Sequence, residues 1–550
     1  MQEPSPRTHR RRTFNAWVNN PVIEDYALRY APRSFRRWSE VAVAGAALGG
    51  IAYLADFAIG GSITLAFGFS NAVWAILVAM AVIFLTGVPI AYYSARYNID
   101  MDLLTRGAGF GYLGSTLTSL IYASFTFIYF SLEGSVMAQA LNLYFGLPLW
   151  AAYLVAALGI IPLVVYGMTF LTKLQAWTQP VWLAMMVLPF VAVLVRDPGA
   201  LSAWAHFGGA SPSGPHFSPL LFGSAAGVVL SLIAQIGEQA DYLRFMPNLG
   251  RENRRRWWWA VLLAGPGWVI LGTIKQLGGS FLAAYITPAV GLAHAGEPIR
   301  MVDLAYRNLI ANPALALTLA TFFVVLSQVK INVTNAYSGS LSWSNFFSRL
   351  FHTHPGRVVW LFLNVGIALA LMEAGVFGFL NTVLGFYSNV AVAWIGAVVS
   401  DLVVNKGLLG ISPSYIEFKR AHLYNFNPVG FGSMIIASAV SILAFFGAFG
   451  PLAQAFSPFI SLILAFVLAP LIAILTRGRY YIARADMTAV EPGGSETHAC
   501  VTCGFDYETA DISHCPFHGG SICSLCCSLE AACHDVCKKA GAQREQVLSV

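Results

Sequence analysis

From Val41 to about Leu475 the chain is a succession of apolar runs, each long enough to cross a lipid bilayer, with charges crowded into alternate connections. A hydrocarbon core asks for about 20 apolar residues per helix, and about twelve stretches of this chain meet that length. Hydrophobic residues make up 57% of the chain and charged residues 11%, with a mean hydropathy of +0.64. A soluble domain would carry roughly a quarter charged residues. The sequence therefore predicts an all-α polytopic membrane protein.

The expected spans are 41–66, 72–93, 113–141, 148–168, 174–196, 219–241, 257–286, 311–336, 357–373, 376–404, 428–449 and 453–475. The basic residues select a side. The tail of residues 1–40 holds Arg7, Arg10, Arg11, Arg12, Arg33, Arg36 and Arg37. Arg96 and Arg106 follow the second span, Lys173 the fourth, and Arg251, Arg254, Arg255 and Arg256 the sixth. Arg349 and Arg357 follow the eighth, Lys406, Lys419 and Arg420 the tenth, and Arg477 and Arg479 the last. The longest intervening connections hold only Arg196, or Arg300 and Arg307. This distribution places both termini in the cytoplasm of a cell-membrane protein.

The first 40 residues are polar and basic, without the short apolar core of a signal peptide. The net charge of +6 comes largely from these flanks. It reads as topology and attraction to anionic membrane lipid, not as nucleic-acid binding. No Gly-Lys-Ser/Thr phosphate loop is present, which argues against ATP-driven pumping, and no nucleophile–base arrangement suggests an enzyme.

Polar groups inside a span either tie helices together or line a water-filled path. Four places stand out. In the first span Asp56 lies among Gly45, Gly49, Gly50, Gly60 and Gly61, a run that can either unwind or pack closely. In the third, Tyr129 and Glu133 are one helical turn apart on one face. In the sixth, Gln235, Glu238 and Asp241 approach the cytoplasmic end, where the last two can be interfacial. In the eighth, Lys330, Asn332 and Asn335 make a polar stretch, with snorkelling open as an alternative for Lys330. Stacking, amide hydrogen bonds and a carboxylate together suit a flat heterocycle with N–H and C=O edges.

These residues resemble the nucleobase–cation symporter family, also called purine–cytosine permeases. The resemblance rests on Asn20-Pro21 before the Arg33–Arg37 run, on Leu104-Thr105-Arg106-Gly107-Ala108-Gly109-Phe110-Gly111, and on the stretch from Gln239 to Pro247 containing Asp241-Tyr242-Leu243-Arg244. Asn332 through Ser338, and Asp401 at the end of the tenth span, complete it, over about Asn20 to Arg479. It implies a leucine-transporter-like fold of two inverted five-helix repeats plus two helices. Substrate would lie between discontinuous helices one and six and helices three and eight. Tyr129 stands where the family has a ring-stacking tryptophan, Glu133 where it has a glutamine, and Asn332 at its substrate asparagine, with Asn335 nearby. Gln235 is the nearest polar candidate for the sixth-span aromatic. Lys330 and Ile331 fall where a sodium-binding hydroxyl pair would be. The departures imply no sodium, with protons coupled through Lys330, Glu133 or Asp56, or coupling lost.

Composition changes near Glu491, and all eight cysteines lie between Cys500 and Cys537. Over 491–540, Cys500 with Cys503, Cys515 with His518, Cys523 with Cys526, and Cys533 with Cys537 form ligand pairs suited to Zn²⁺. Cross-bracing would give the first and third pairs one metal, the second and fourth another. An iron–sulfur cluster and disulfides are the alternatives, the latter disfavoured in a reducing cytoplasm. Two functions follow. One is a secondary transporter of nucleobases or related nitrogen heterocycles with a regulatory metal-binding tail. The other is a transporter-shaped sensor that reports such a ligand to a signalling partner through that tail.

Overall fold

Lipid offers no partner to a free backbone N–H or C=O, so each apolar run has to close its hydrogen bonds within a helix. The computed structural model describes residues 11–14, 18, 25, 27–211, 214–485 and 496–538, without the side chains of 167–169. Arg7, Arg10, Asn20, Pro21 and Glu491 lie outside them. Among the described residues, eight helices are long and apolar enough to cross a membrane. The other expected spans, the first, fourth, ninth and eleventh, are made of shorter helices. This is a multi-pass membrane protein.

The first span is α1 (Glu40–Gly49) and α2 (Ala55–Phe67), separated by five residues outside any helix. The second is α3 (Phe69–Tyr97), the third α4 (Gly114–Phe145), the fourth begins with α5 (Leu149–Leu158), and the fifth is α6 (Gly167–Arg196). The sixth, α7 (Pro219–Leu230) and α8 (Ile236–Leu243), is joined by a tighter 3₁₀ turn over Ser231–Gln235. The seventh, α9 (Arg254–Ala264) and α10 (Trp268–Val290), is interrupted at Gly265-Pro266-Gly267. A short connecting helix, α11 (Pro298–Tyr306), leads to α12 (Pro313–Phe351), and α13 (Arg357–Glu373), α14 (Leu380–Ser400), α15 (Gly430–Phe445) and α16 (Ser457–Leu475) follow.

Two boundaries differ from expectation for physical reasons. The eighth span does not end at 336 but runs on to Phe351, because its polar continuation stays buried and finds partners. Ser338 donates to Asp241 Oδ2 at 2.6 Å, and Arg349 donates to Ser115 Oγ at 2.6 Å. The seventh is broken where Pro266, which lacks a backbone N–H, stands between two glycines.

The glycines of the first span divide between the two uses open to them. Gly50 sits at the break, whereas Gly60 lies in α2 where that helix touches α10 backbone to backbone. A Cβ on Gly60 would fall 1.9 Å from the Gln276 carbonyl oxygen, and one on Gly279 2.4 Å from Phe57 Cα. Small residues permit that approach.

The cysteine-rich segment is a pair of two-stranded sheets and one helical turn. β1 (Thr497–Ala499) pairs antiparallel with β2 (Asp506–Glu508), and β3 (Ile512–Cys515) with β4 (Gly520–Cys523). α17 (Ser524–Leu529) follows directly. Gly60→Val should force α2 off α10, costing about 3 kcal/mol or more as overpacking does. Gly45→Ala, with nothing within 4 Å of the new atom, should be neutral. Melting of the detergent-solubilised variants distinguishes them; equal melting temperatures would refute the close contact.

Candidate functional site

Where α1 ends, the chain leaves helical geometry and the carbonyls of Ile51 and Tyr53 lose their helical partners. A lysine fills the gap. Lys275, on α10, donates from Nζ to Ile51 O at 2.8 Å and Tyr53 O at 3.0 Å, and pairs with Asp56 Oδ2 at 2.9 Å. The ammonium thus meets two backbone carbonyls by hydrogen bonds and one carboxylate as an ion pair. It also lies 3.6 Å from the centre of the Tyr53 ring. The second Asp56 oxygen accepts from Gln276 Nε2 at 2.8 Å. Both charged side chains are buried.

The start of α2 holds a second carboxylate. The backbone N–H of Leu54 donates to Glu133 at 3.3 Å, and that of Ala55 at 3.1 and 3.2 Å to its two oxygens. A helix N-terminus presents unpaired donors and a positive dipole end, which suits an anion. Glu133 comes from α4, and its neighbours on that helix reach the other elements of the junction. Tyr129 Oη lies 2.7 Å from Ser231 Oγ, where the sixth span tightens, and its ring is 4.5 Å from Phe125. Asn332 Nδ2, on α12, reaches the Phe130 carbonyl at 3.4 Å and its Oδ1 accepts from Asn335 at 3.2 Å. Gln235 donates to Glu238 Oε2 at 2.6 Å.

Helix α4 thus touches the first-span break, the 3₁₀ turn of the sixth span and the polar stretch of the eighth. Among the described residues Asn335 Oδ1 and Glu238 Oε1 are buried without a protein partner, as are both amide atoms of Gln328.

Lys330 points elsewhere. Its ammonium donates to Gln175 O at 3.0 Å and Thr178 Oγ1 at 2.8 Å on α6, and Gln175 Nε2 returns a bond to the Lys330 carbonyl at 2.7 Å. Asp241 and Glu238 are buried within the bundle. The rule that singles out an ionisable residue inside a span applies to Lys275 as much as to Lys330. What the apolar run around it does not disclose is that it faces Asp56.

The motifs at the tail-side end of the bundle form one buried lattice. Arg244 meets Asp100 at 3.3 Å and Tyr337 Oη at 3.0 Å, and Arg106 donates to Asn345 Oδ1 at 3.0 Å. Asp241 accepts from Tyr122 Oη at 3.1 Å. Pairing is what makes guanidinium groups tolerable at such depth.

In the tail, the sulfurs of Cys500, Cys503, Cys523 and Cys526 all lie within 4.8 Å of one another, close enough to bind one metal ion. All eight cysteines are free. The Cys523 and Cys526 N–H groups donate to the sulfurs of Cys500 and Cys523, each at 3.4 Å. These two pairs are the first and third of the sequence. Cys515, Cys533 and Cys537 are elsewhere in the module, and His518 Nε2 lies 3.0 Å from Glu530 Oε2.

The module rests on the bundle. Glu508 accepts from Tyr30 Oη and, at 2.6 Å, from the Arg33 N–H, in the segment leading to α1. Arg420, in the connection after the tenth span, donates to Cys527 O at 2.9 Å and pairs with Asp535 at 3.0 Å.

No protein-family model matches the chain. It is similar to a hydantoin permease of Microbacterium maritypicum, with 23% identity over 450 residues covering 77% of this chain and 86% of that protein. It also superimposes on Mhp1, a nucleobase-cation-symport-1 family transporter solved closed with bromovinylhydantoin bound. That match has a TM-score of 0.59 and 18% identity, covering 83% of this chain and 99% of Mhp1. The inward-facing form of Mhp1 gives a TM-score of 0.55 at 19% identity, over 86% and 96% of the two chains. The fold is that of the nucleobase–cation symporters. That likeness of fold extends over most of the chain. A Na⁺-coupled sialic acid symporter shares the symporter fold more distantly, at a TM-score of 0.51 and 14% identity, over 80% of this chain and 91% of that one.

Lys275→Met should leave Asp56 buried and unpaired, at a cost of about 3–5 kcal/mol. Adding Asp56→Asn should recover more than half of it. Denaturation of the solubilised protein measures both; additive losses would contradict a direct pair.

Proposed function

We propose that this protein is a secondary transporter for a nitrogen heterocycle of nucleobase or hydantoin type. The observation that supports the reading is that α4 sends Glu133 to the first-span break, Tyr129 to the 3₁₀ turn of the sixth span and the Phe130 carbonyl to Asn332 of α12. The ring of the substrate stacks on Tyr129. Its N–H and C=O edges pair with Asn332, Asn335 and the Gln235–Glu238 pair. The named activities of the hydantoin permease and of Mhp1 support the substrate class.

Coupling, on this reading, uses protons. The Lys275 ammonium already takes the freed carbonyls and the carboxylate that a small cation would use, so sodium has no vacant ligand set at the first-span break. Glu133 and Asp56 are the carboxylates beside it that can carry a proton between faces. Lys330 shapes the same region indirectly, by fixing α12 to α6.

The face bearing the module is the cytoplasmic one, as the distribution of Lys and Arg favours. The Cys500–Cys503–Cys523–Cys526 tetrad holds Zn²⁺, the usual ion for four thiolates at such spacing. A sensor function is the second reading. The observation favouring it is that the module grips both the segment entering α1 and the connection after the tenth span. A signalling partner would then read the module's position.

Proteoliposome uptake of radiolabelled hydantoins, purines and pyrimidines tests the proposal. Accumulation should follow an inward proton gradient and be unchanged when choline replaces sodium. Glu133→Gln should lower accumulation about tenfold, the weight of one charged hydrogen bond, while substrate exchange persists. Tight binding without flux would select the sensor. Uptake driven by a sodium gradient would overturn the coupling.

A further inference from the structure

The tail contains four more cysteines than the tetrad uses, and their placement has a pattern. Cys515 opens a turn that repeats the one opened by Cys500. In each turn the fifth residue is a glycine at positive φ, Gly504 at 79° and Gly519 at 66°. The repeated turn is the local geometry of a metal knuckle.

Beyond that turn lies a cavity of about 20 Å³, space for a single water-sized body. Its wall carries Cys515, Cys527, Cys533 and Cys537, together with His514, Glu530 and Asp535. His518 is not in the wall; its ring is turned to Glu530. Asp535 is occupied by Arg420, Lys538 and Asn425. Four cysteines from three separate parts of the module therefore line one small space.

We propose that Cys515, Cys527, Cys533 and Cys537 form a second tetrathiolate metal site, with Cys527 in the position that sequence spacing gives to His518. Soft thiolate ligands select zinc over hard cations. Each thiol releases its proton as its sulfur binds. Among the described residues only the first tetrad already has its sulfurs within 4.8 Å, so the second would have to close on the metal as it binds. The site also has a place in the molecule. Cys527 O and Glu530 O accept from Arg420 at 2.9 and 2.5 Å, and Asp535 holds Arg420 and Lys538. Metal at this site fixes the part of the module that grips the connection after the tenth span.

The test uses the full-length protein purified from zinc-supplemented cells, with zinc counted by elemental mass spectrometry. The wild type should hold about two zinc ions, since each four-thiolate set fills one tetrahedral shell. Cys527→Ser should hold about one, Cys526→Ser about one, and His518→Ala about two, by the same ligand count. A wild type with one ion or none, an unchanged count in Cys527→Ser, or a loss in His518→Ala would overturn the assignment. X-ray absorption at the zinc edge of the wild type needs no variant. A shell of sulfur alone supports the site, whereas an imidazole contribution refutes it. Neither measurement depends on whether the bundle transports.

Discussion

One ammonium group keeps the first span interrupted without leaving its backbone bare. Lipid cannot satisfy the Ile51 and Tyr53 carbonyls, and a bound ion would hold them only while it stayed. Lys275 supplies the charge permanently, tethered to α10, with Asp56 balancing it. A buried pair of this kind adds little net stability over an apolar substitute, but breaking it is costly. The pair is therefore better understood as fixing one arrangement than as strengthening the fold. Close packing of α2 on α10 through Gly60 and Gly279 aligns Lys275 with the break.

Around that fixed point α4 acts as a ruler. Within about one turn it places Tyr129 against the sixth span, Phe130 O against Asn332, and Glu133 on the exposed N–H groups of α2. The lattice of Arg244, Asp100, Arg106 and Asp241 performs the corresponding task at the tail-side end. The cysteine tetrad reaches the same end, since its module holds the residues leading into α1. First-span break, end lattice and module are thus linked through the first span.

Apolar run length made the helices legible, and the Gly-rich first span pointed to its own break. The third-span pair Tyr129 and Glu133 was visible from one-turn spacing, and the tetrad from two Cys-x-x-Cys pairs. Lys275 was not, because spacing along one helix says nothing about which neighbour it faces. The continuation of α12 to Phe351 was hidden for a related reason. Polar residues such as Ser338 and Arg349 look like an exit from the membrane until their buried partners on α8 and α4 are known. Cys527, next to the more obvious Cys526, is masked by the regular pairs around it.

The account rests on an ammonium standing where a small cation would otherwise be held. Differential scanning fluorimetry of the purified protein in sodium chloride against equimolar choline chloride addresses that claim most directly. Coincident melting curves are predicted, because the ligand set at the break is already filled. A sodium-specific rise in melting temperature, saturating with concentration, would contradict it.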